Sequence, residues 1–350
     1  MMVTKLYENT EESLRELVQD IREIINEAPI NEQSSVPEIE PKSDLIGIPE
    51  SVYSQIRAAL QSGKRHIIFY GPPGTGKTTL AQYIAQELSS TSSFEMLTAS
   101  ASWTSQDLIG GYQPLGNGKI GFVPGAMLRN FDRPVVIDEL NRCQIDKVIG
   151  PLFSVLSGHA TTLPYKLDIE REDSPFHVIY PYPKEDPEEH EWCPSDEWRI
   201  IATINTVDKS QLGTISYALS RRFAWIKVGV PDDLYGFVRS ILNRPDEENA
   251  PNPIADMWVA VNKIRPIGGA PIIDFIKTAQ IMKPDIDLLT EPNDELQDLL
   301  IANLEMYILP LLDGIRQIQA ETFITELSES WKLGDKKRSI LKSEMVDIIS

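Results

Sequence analysis

Residues 71–78, with the sequence GPPGTGKT, have the residue types needed to hold a polyphosphate. The segment matches GxxxxGK followed by Ser or Thr, and it lies between a predicted buried strand, 66–70, and a predicted helix, 78–88. Glycines let backbone N–H groups turn inward around phosphates, and the helix adds its positive N-terminal end. Lys77 would reach the β- and γ-phosphates, and the Thr78 hydroxyl would ligate Mg²⁺. The residues predicted to bind nucleotide here are Gly71, Pro72, Pro73, Gly74, Thr75, Gly76, Lys77, Thr78 and Thr79.

An acidic pair, Asp138 and Glu139, stands at the end of a second predicted buried strand, 133–138. Beside a phosphate loop, an Asp at such a strand end suits a bridge to Mg²⁺, and the neighbouring Glu suits the orientation and polarisation of water. A third predicted strand, 198–205, ends in Asn205, whose amide would hold the attacking water and sense the γ-phosphate. The chemistry that these residue types indicate is hydrolysis of a nucleoside triphosphate.

Two adjacent arginines, Arg221 and Arg222, stand directly before a fourth predicted strand, 223–230. Such a pair often forms only a solvated helix end. Here the phosphate of the same chain would lie across the sheet from the arginines. The more useful role is therefore to reach the nucleotide of a neighbouring subunit.

The elements that must position these residues alternate between short apolar strands and helices over residues 43–230. This pattern predicts an α/β fold with a doubly wound parallel sheet. From Pro231 the strand signal stops, and 231–350 has the pattern of a C-terminal all-helical lid domain. Residues 1–42 are predicted to hold an N-terminal helix, 9–27, followed by a polar linker that extends from 28 to 43.

The composition excludes several classes of protein. The chain has 350 residues, with 33 Lys and Arg against 52 Asp and Glu, a net charge of −19. A net negative charge of this size repels nucleic acid on average, so contact with nucleic acid would need a local basic patch or a partner protein. No long apolar run or secretory pattern is present, which argues against a membrane protein and favours the cytoplasm. Two cysteines and four scattered histidines offer neither a disulfide framework nor zinc spacing.

From about Asp44 to Ile286 the motifs resemble those of the AAA+ NTPases. GPPGTGKTT resembles the Walker A motif, VVIDE the Walker B motif, and the strand ending in Asn205 the sensor 1 strand. Within AAA+, the segments IDELNRC, TINTVDKS and LSRRFAWIKV are similar to signatures of the McrB branch. The segment 103–131 resembles a hairpin inserted in helix 2 of the wider clade that includes McrB, MoxR and the dynein-related proteins.

The resemblance implies a homo-oligomeric ring, usually hexameric, that holds nucleotide and magnesium between its subunits. Thr78 and Asp138 would hold Mg²⁺, Glu139 would activate water, and Asn205 would be the sensor. The TINTVDKS signature has Val and Lys at positions where the McrB branch usually has Ala and Arg.

The resemblance also assigns residues away from these strand ends. Arg222, or Arg221, would be the arginine finger, and Asp208 would help to position the trans partner. Ile46 and Gly47 lie in the segment SDLIGIPE, which would wrap the base. The resemblance leaves two bases open: ATP, which the wider family uses and which we favour, and GTP, which the McrB branch prefers.

Three further features have two interpretations each. Arg265 is either a sensor 2 arginine that binds nucleotide or a surface arginine before a proline turn. Trp103, Phe122 and Pro124 either pack the hairpin, which we favour, or line a pore or a partner groove. The acidic stretch 168–197 is expected to be a solvated insertion, with a docking surface as the alternative.

Three functions remain open from the sequence. The leading hypothesis is a McrB-like, ring-forming ATPase or GTPase that drives or licenses a partner effector, a McrC-like or other nuclease subunit in prokaryotic antiviral defence. Nucleic acid would then be contacted only indirectly or through that partner. The second hypothesis is a MoxR-type chaperone whose partner is a metal-adhesion protein. The third is a scaffold that assembles on nucleotide binding and turns over little.

Overall fold

The described residues of this computed structural model, 38–116, 118–206 and 217–346, form an α/β region followed by a helical region. In chain order, the α/β region contains α1 (Glu50–Gln61), β1 (His66–Gly71), α2 (Lys77–Glu87), β2 (Glu95–Thr98), α3 (Ser105–Leu108), β3 (Gly110–Gly116), β4 (Lys119–Pro124), α4 (Ala126–Arg129), β5 (Val135–Asp138), α5 (Ile145–Ile149), β6 (Thr161–Lys166), β7 (Phe176–Ile179), β8 (Glu191–Trp192), β9 (Ile200–Asn205), α6 (Tyr217–Ser220) and β10 (Phe223–Lys227). The helical region contains α7 (Leu234–Ile241), α8 (Pro253–Ile264), α9 (Ala270–Met282), α10 (Asp294–Tyr307), α11 (Gln317–Ser330) and α12 (Asp335–Val346).

The central sheet is parallel and, within the described residues, has five strands in the order β10-β1-β9-β5-β2. Alternate residues of β1 pack into two different cores, Ile68 into one and Ile67 into the other, because successive side chains point to opposite faces. Gly71 lies opposite Asn205 in the register of β1 and β9, so the carboxyl ends of the strands meet at one edge. The predicted α/β fold with a parallel sheet and a helical region after it is confirmed.

The helical region has an apolar core of its own. Its largest fully buried side chains are Trp258, Trp331, Phe275 and Phe323. The indole Nε1 of Trp258 donates to the carbonyl oxygen of Ile267 at 3.0 Å, which fixes the chain just before α9. Across the part of the chain that the structure describes, no helix has the length and hydropathy to cross a lipid bilayer.

The hairpin β3–β4 packs on a small sheet formed by β6, β7 and β8. The ring of Phe122 lies 5.2 Å from that of Tyr165 and 4.4 Å from that of His177, measured between ring centroids. Trp192 Nε1 donates to His177 Nδ1 at 3.2 Å. Phe122 therefore packs the hairpin. The stretch 168–197 differs from the expected solvated insertion, because it contains β7 and β8 and contributes buried His177 to this aromatic cluster.

Other local expectations need correction. The helix expected to run from the second strand to Ser157 is broken into α5 and short 3₁₀ turns, because Gly150 and Pro151 interrupt the helical pattern. The linker expected over 28–43 ends earlier, since Ile39 is fully buried and its carbonyl oxygen accepts from Arg57 Nη1 at 2.6 Å. The predicted helix 9–27 lies outside the described residues.

A matched pair of substitutions tests how the helical region fixes the chain before α9. Trp258→Phe removes the indole N–H that donates a hydrogen bond to the carbonyl oxygen of Ile267. Trp198→Phe removes an indole N–H that has no hydrogen-bond partner in the described chain. Both indoles are buried, so the lost volume is similar. We expect Trp258→Phe to lower the free energy of unfolding by about 1–3 kcal/mol more than Trp198→Phe, because a buried carbonyl is left unsatisfied. Urea denaturation measures both, and equal losses would contradict the prediction.

Candidate nucleotide-binding site

The phosphate loop joins β1 to α2 and turns at its glycines. Gly74 has φ 75° and Gly76 has φ 83°, a left-handed conformation that side chains with a Cβ disfavour. Gly76 is the N-cap of α2, which begins at Lys77, so the positive end of the helix adjoins the loop. The predicted nucleotide-binding residues 71–79 thus follow the carboxyl end of β1.

Lys77 is buried within this loop. Its side chain Nζ donates to the carbonyl oxygen of Pro72 at 2.6 Å. Burial lowers the pKa of Lys77 from 10.5 to about 8, because the ammonium loses water, while the carboxylates of Asp138 and Glu139 act in the opposite direction. One neutral carbonyl is a weak partner for an ammonium, and a phosphate oxygen would be a stronger acceptor at the same place.

Thr78 and Asp138 are brought together from positions far apart in the chain. Thr78 Oγ1 donates to Asp138 Oδ1 at 2.7 Å, and Thr203 Oγ1 donates to the same oxygen at 2.5 Å. Hydroxyl and carboxylate oxygens are the ligands that Mg²⁺ prefers, usually one or two from the protein beside those of a phosphate. No group of three or more His, Cys, Asp or Glu residues that could hold a metal occurs in the described ranges. The pair therefore fits a Mg²⁺ ion that arrives with a nucleotide.

Glu139 has the left-handed backbone conformation, with φ 52°, directly after β5. Its N–H donates to Thr203 Oγ1 at 3.0 Å, which ties this unusual turn to β9. Its carboxylate accepts from Asn205 Nδ2 at 3.2 Å and forms an ion pair with Arg142. The turn thus directs the Glu139 side chain toward Asn205, the residue predicted to sense the γ-phosphate.

A cavity of about 170 Å³ adjoins the phosphate loop. Ile46 and Gly47, which were predicted to wrap the base, line it together with Gly76 and Thr79. Phe237 lines it from the helical region. A mostly apolar cavity beside a phosphate loop suits the flat ring of a nucleotide base.

Residues 267–271, which we call the glycine strap, place the helical region against the phosphate loop. The N–H of Gly268 donates to the carbonyl oxygen of Pro73 at 2.8 Å, and that of Ala270 donates to Gly74 at 3.0 Å. A Cβ added at Gly268 would lie 2.2 Å from the carbonyl carbon of Gly74. The two backbones therefore approach so closely that a side chain at position 268 has no room.

Arg265 lies just before the strap, but its side chain is used elsewhere. Its Nη1 donates to the carbonyl oxygen of Leu311 at 2.6 Å and its Nη2 to that of Asp313 at 2.8 Å. The guanidinium thus joins the end of α8 to the turn after α10. Arg265 therefore contacts the helical region of its own chain in this structure, and its role as a nucleotide-binding arginine stays a prediction.

The structure does not bring Arg221 and Arg222 to the phosphate loop of the same chain. His66 lies opposite Phe223 in the register of β1 and β10, so both arginines lie at the amino end of the sheet. The phosphate loop is at the carboxyl end, five residue steps or roughly 16 Å farther along β1 at ~3.3 Å per residue. Asp208, the other residue predicted to act across subunits, lies outside the described residues.

Comparison with protein families identifies the segment that holds this geometry. The model described as "AAA domain (dynein-related subfamily)" matches residues 66–223. This segment of the chain is similar to an AAA domain. The matched segment extends from β1 to the start of β10, so it includes the phosphate loop, Asp138, Glu139 and Asn205. An AAA domain is a nucleotide-binding P-loop module, and the finer resemblance to the McrB branch stays a prediction.

Individual proteins are similar to short parts of this chain. A replication factor C small subunit from Pyrobaculum islandicum is 55% identical over 40 residues, which cover 11% of this chain and 12% of that protein. The Holliday junction branch migration complex subunit RuvB of Phytoplasma mali is 36% identical over 73 residues, 21% of each protein. The chain thus spans about an eighth to a fifth of the length of these curated relatives.

Solved structures show similarity over most of the chain. A RuvB mutant from Thermotoga maritima has a TM-score of 0.44 and 19% sequence identity, and the match covers 89% of both chains. A putative ATPase from Cytophaga hutchinsonii has a TM-score of 0.37 and 14% identity, covering 98% of this chain and 89% of that one.

Several residues of the AAA domain site, and the strap that follows it, were missed from the sequence. The Thr203 hydroxyl accepts a hydrogen bond from the Glu139 N–H and donates one to the Asp138 carboxylate. Nothing in the sequence distinguishes this threonine from the other residues of a buried strand. Arg142 lies within the segment IDELNRC, where no pattern assigns it a role. The adjacent glycines 268 and 269 were a visible signal, since a pair of glycines before a helix marks a close backbone approach.

The depressed pKa of Lys77 predicts that nucleotide affinity falls as the pH rises. Bound phosphates require the charged ammonium, which is mostly present below pH 7 and mostly lost above pH 9 when the pKa is about 8. We expect the Kd of Mg-ATP to rise about tenfold between pH 7.5 and 9, as measured by isothermal titration calorimetry. Lys77→Arg is the matched control, because an arginine stays charged throughout this range. If the Kd of the unaltered chain changes with pH as little as that of Lys77→Arg, the assignment of Lys77 as the phosphate-binding ammonium is wrong.

The glycine strap makes a steric prediction. Gly268→Ala forces the strap away from the phosphate loop, since its Cβ would meet the backbone of Gly74. We expect the affinity for Mg-ATP to fall at least about tenfold, because the two hydrogen bonds between the strap and the phosphate loop are lost and each is worth ~1 kcal/mol. Gly150→Ala is the control, because its helical backbone and open surroundings accept a methyl group. Fluorescent-nucleotide titration compares the two, and equal affinity would exclude the strap from nucleotide binding.

Proposed function

We propose that this chain is a ring-forming nucleoside triphosphatase that hydrolyses ATP, or GTP, with Mg²⁺ and thereby drives a partner effector. The main support for triphosphate hydrolysis is that five residues lie together at one edge of the sheet: Lys77, Thr78, Asp138, Glu139 and Asn205. A phosphate anchor, ligands for magnesium and a carboxylate able to polarise water are the groups that triphosphate hydrolysis needs. The AAA domain over residues 66–223 supports the same proposal.

In this proposal each group has one task before water attacks. Lys77 and the backbone N–H groups of the loop bind the β- and γ-phosphates. Thr78 and Asp138 hold Mg²⁺, which supplies positive charge to the phosphate oxygens when it is bound. The hydrogen bond that now joins Thr78 to Asp138 keeps both oxygens at the place where they are needed.

The carboxylate of Glu139 would orient the attacking water and accept its proton. Two groups now hold that carboxylate, the amide of Asn205 and the guanidinium of Arg142. The ion pair with Arg142 occupies one oxygen of this carboxylate, which a water would otherwise approach. In this proposal the ion pair between Arg142 and Glu139 opens before water is activated, while Asn205 keeps the carboxylate directed toward the site.

The proposed ring follows from the distance between the two ends of the sheet. Arg221 and Arg222 lie at the amino end, so in a closed ring they would face the nucleotide of the next subunit. Two of the relatives are by name subunits of larger assemblies, replication factor C and the branch migration complex. These names support assembly with other chains.

The proposed partner is an effector, such as a nuclease subunit in prokaryotic defence. Support comes from the similarity of IDELNRC and LSRRFAWIKV to McrB-type signatures. The far end of the β3–β4 hairpin also bears two exposed apolar side chains, Leu115 and Ile120, which suit contact with another protein. The net charge of −19 favours a protein partner over direct binding to nucleic acid.

Glu139→Gln tests hydrolysis separately from binding. The amide keeps the size of the side chain but cannot accept a proton from water. We expect turnover of ATP or GTP to fall by about 10²–10⁴-fold, while the nucleotide stays bound and the ring is trapped in its assembled form. Phosphate release and size-exclusion chromatography with light scattering measure the two effects. Lys77→Ala is the comparison variant and should lose nucleotide binding itself.

The remaining outcomes separate the functions left open by the sequence. Nucleotide binding without turnover in the unaltered chain would favour a scaffold and contradict the hydrolytic function. Failure of the unaltered chain to bind ATP or GTP, with Lys77→Ala behaving identically, would overturn the whole proposal. Identification of the protein that co-purifies with the trapped Glu139→Gln ring in the native host tests the partner, since a metal-adhesion protein in place of a nuclease would favour the chaperone function.

A further inference from the structure

Strand β7 of the small sheet is apolar on both of its faces, although only one face is covered. Side chains of a strand alternate between the two sides of the sheet. On one side, His177 and Ile179 are buried. On the other side, which we call the outer face, the residues in sequence are Phe176, Val178 and Tyr180. A solvated face of such a sheet normally carries polar side chains, so this pattern is typical of a face that another element covers.

Three aromatic rings belong to the outer face. Phe176 is 45% exposed, and Tyr182, which follows β7, is 55% exposed. The ring of Tyr180 lies between them in the chain, with its centroid 5.9 Å from that of Tyr182. The N–H of Tyr180 donates to the carbonyl oxygen of Trp192 at 2.9 Å, which fixes this end of the row to β8. Exposed apolar side chains that lie together in this way mark a contact with another protein.

Two of these rings have a positive charge from the same chain over them. Lys166 Nζ lies 5.7 Å from the centroid of the Phe176 ring. Lys184 Nζ lies 5.1 Å from the centroid of the Tyr180 ring. The negative face of an aromatic ring attracts a cation at such distances. The outer face therefore has the chemistry to bind cationic side chains.

An acidic loop adjoins each end of the row of rings. The loops 167–175 and 181–190 together hold eight acidic residues against Arg171 and Lys184, a net charge of −6. The acidic side chains are all exposed: Asp168, Glu170, Glu172, Asp173, Glu185, Asp186, Glu188 and Glu189. Such a surface repels the phosphates of nucleic acid and attracts a positively charged protein segment.

Hydrogen bonds fix both loops to the small sheet. In the first loop, the carbonyl oxygen of Glu172 accepts from Lys166 Nζ at 2.8 Å. In the second loop, Glu191 Oε1 accepts from Lys184 Nζ at 2.6 Å, and Glu191 Oε2 accepts from the N–H of Glu188 at 2.9 Å. The backbone that carries the carboxylates is therefore ordered before a partner arrives, which reduces the entropy lost on binding.

On these grounds we propose that the outer face and its two acidic loops dock an extended, arginine-bearing segment of the partner effector. Its arginines pair with the loop carboxylates and lie over the aromatic rings, and its apolar centre covers Val178. Phe176 and Tyr180 are four residues apart, or roughly 13 Å at ~3.3 Å per residue, so arginines four residues apart in an extended segment match the two ends. This inference names the chemistry of the partner and rests on the proposed function for the existence of that partner.

Fluorescence anisotropy with a labelled peptide and the full chain tests the docking. The peptide has arginine at its first and fifth positions and valine between them, and the control peptide has glutamate in place of arginine. We expect the arginine peptide alone to bind, with an affinity that falls at least about tenfold between about 50 and 500 mM salt. Failure of the arginine peptide to bind, or equal binding of both peptides, would contradict the proposal. Binding of a single-stranded oligothymidine in place of the peptide would assign the face to nucleic acid and overturn it.

A pair of double variants tests whether the aromatic rings form the binding site. Phe176→Ser with Tyr182→Ser should lower the affinity for the arginine peptide about tenfold without changing Tm, because two exposed rings are lost. Ile281→Ser with Ile318→Ser removes two exposed apolar side chains from the helical region and should bind the peptide as the unaltered chain does. Unchanged affinity in the first variant, or an equal loss in both, would place the peptide elsewhere and refute the assignment.

A second pair of variants tests the acidic loops without altering any packed side chain. Glu185→Gln with Asp186→Asn should lower peptide affinity about three- to tenfold at low salt and have little effect at high salt, because exposed charges are screened there. Asp285→Asn with Glu329→Gln removes two exposed carboxylates from the helical region and is the control for net charge. Equal losses in the two variants would mean that the peptide responds only to the overall charge, which contradicts a defined docking site.

Phosphate release by the same preparations separates this inference from the proposed function. None of the substituted residues lies in the nucleotide site, so turnover of ATP or GTP should stay unchanged. Hydrolysis without peptide binding would refute the docking alone. Peptide binding without hydrolysis in the unaltered chain would contradict the proposed triphosphatase and leave the docking of a cationic segment in place.

Discussion

The polarity of the parallel sheet is the constraint on which the rest of the structure depends. All strands of such a sheet end at the same edge, so side chains placed after β1, β5 and β9 meet without any loop having to travel across the molecule. Lys77, Asp138 and Asn205 come together for this reason. The same polarity puts Arg221 at the far end, where its own nucleotide is out of reach. In the proposed ring, the arginines at the amino end of one copy would therefore face the nucleotide of the next copy.

Charge is distributed according to the same polarity. The carboxyl end of the sheet holds Asp138 and Glu139, with Lys77 buried beside them. The amino end gathers lysine and arginine around buried His66, although the chain as a whole is strongly acidic. In the proposed ring, opposite charges at the two ends would favour head-to-tail contact between copies.

The sequence predicted the parallel sheet and the residues of the phosphate loop because both depend on strong local patterns, a buried apolar strand and glycines at fixed spacing. It missed β2, a short edge strand of mixed burial with no such pattern. It left the role of Arg265 open, because the direction of a side chain depends on carbonyl groups 46 and 48 positions away in the sequence. It also gave no indication that Glu139 has a left-handed backbone, since that conformation is imposed by a hydrogen bond to Thr203 in another strand.

The glycine strap contacts the phosphate loop through main-chain atoms alone, and this has a consequence for how the protein releases what it binds. The carbonyl groups of Pro73 and Gly74 are part of the loop that surrounds the phosphates, so a change in the loop moves them and the strap together. Two backbone hydrogen bonds are worth about 0.5–1.5 kcal/mol each in net terms, a link that thermal motion breaks and remakes often. If the chain hydrolyses nucleotide as proposed, departure of the cleaved phosphate would therefore act directly on the contact between the loop and the helical region, whichever base the nucleotide carries.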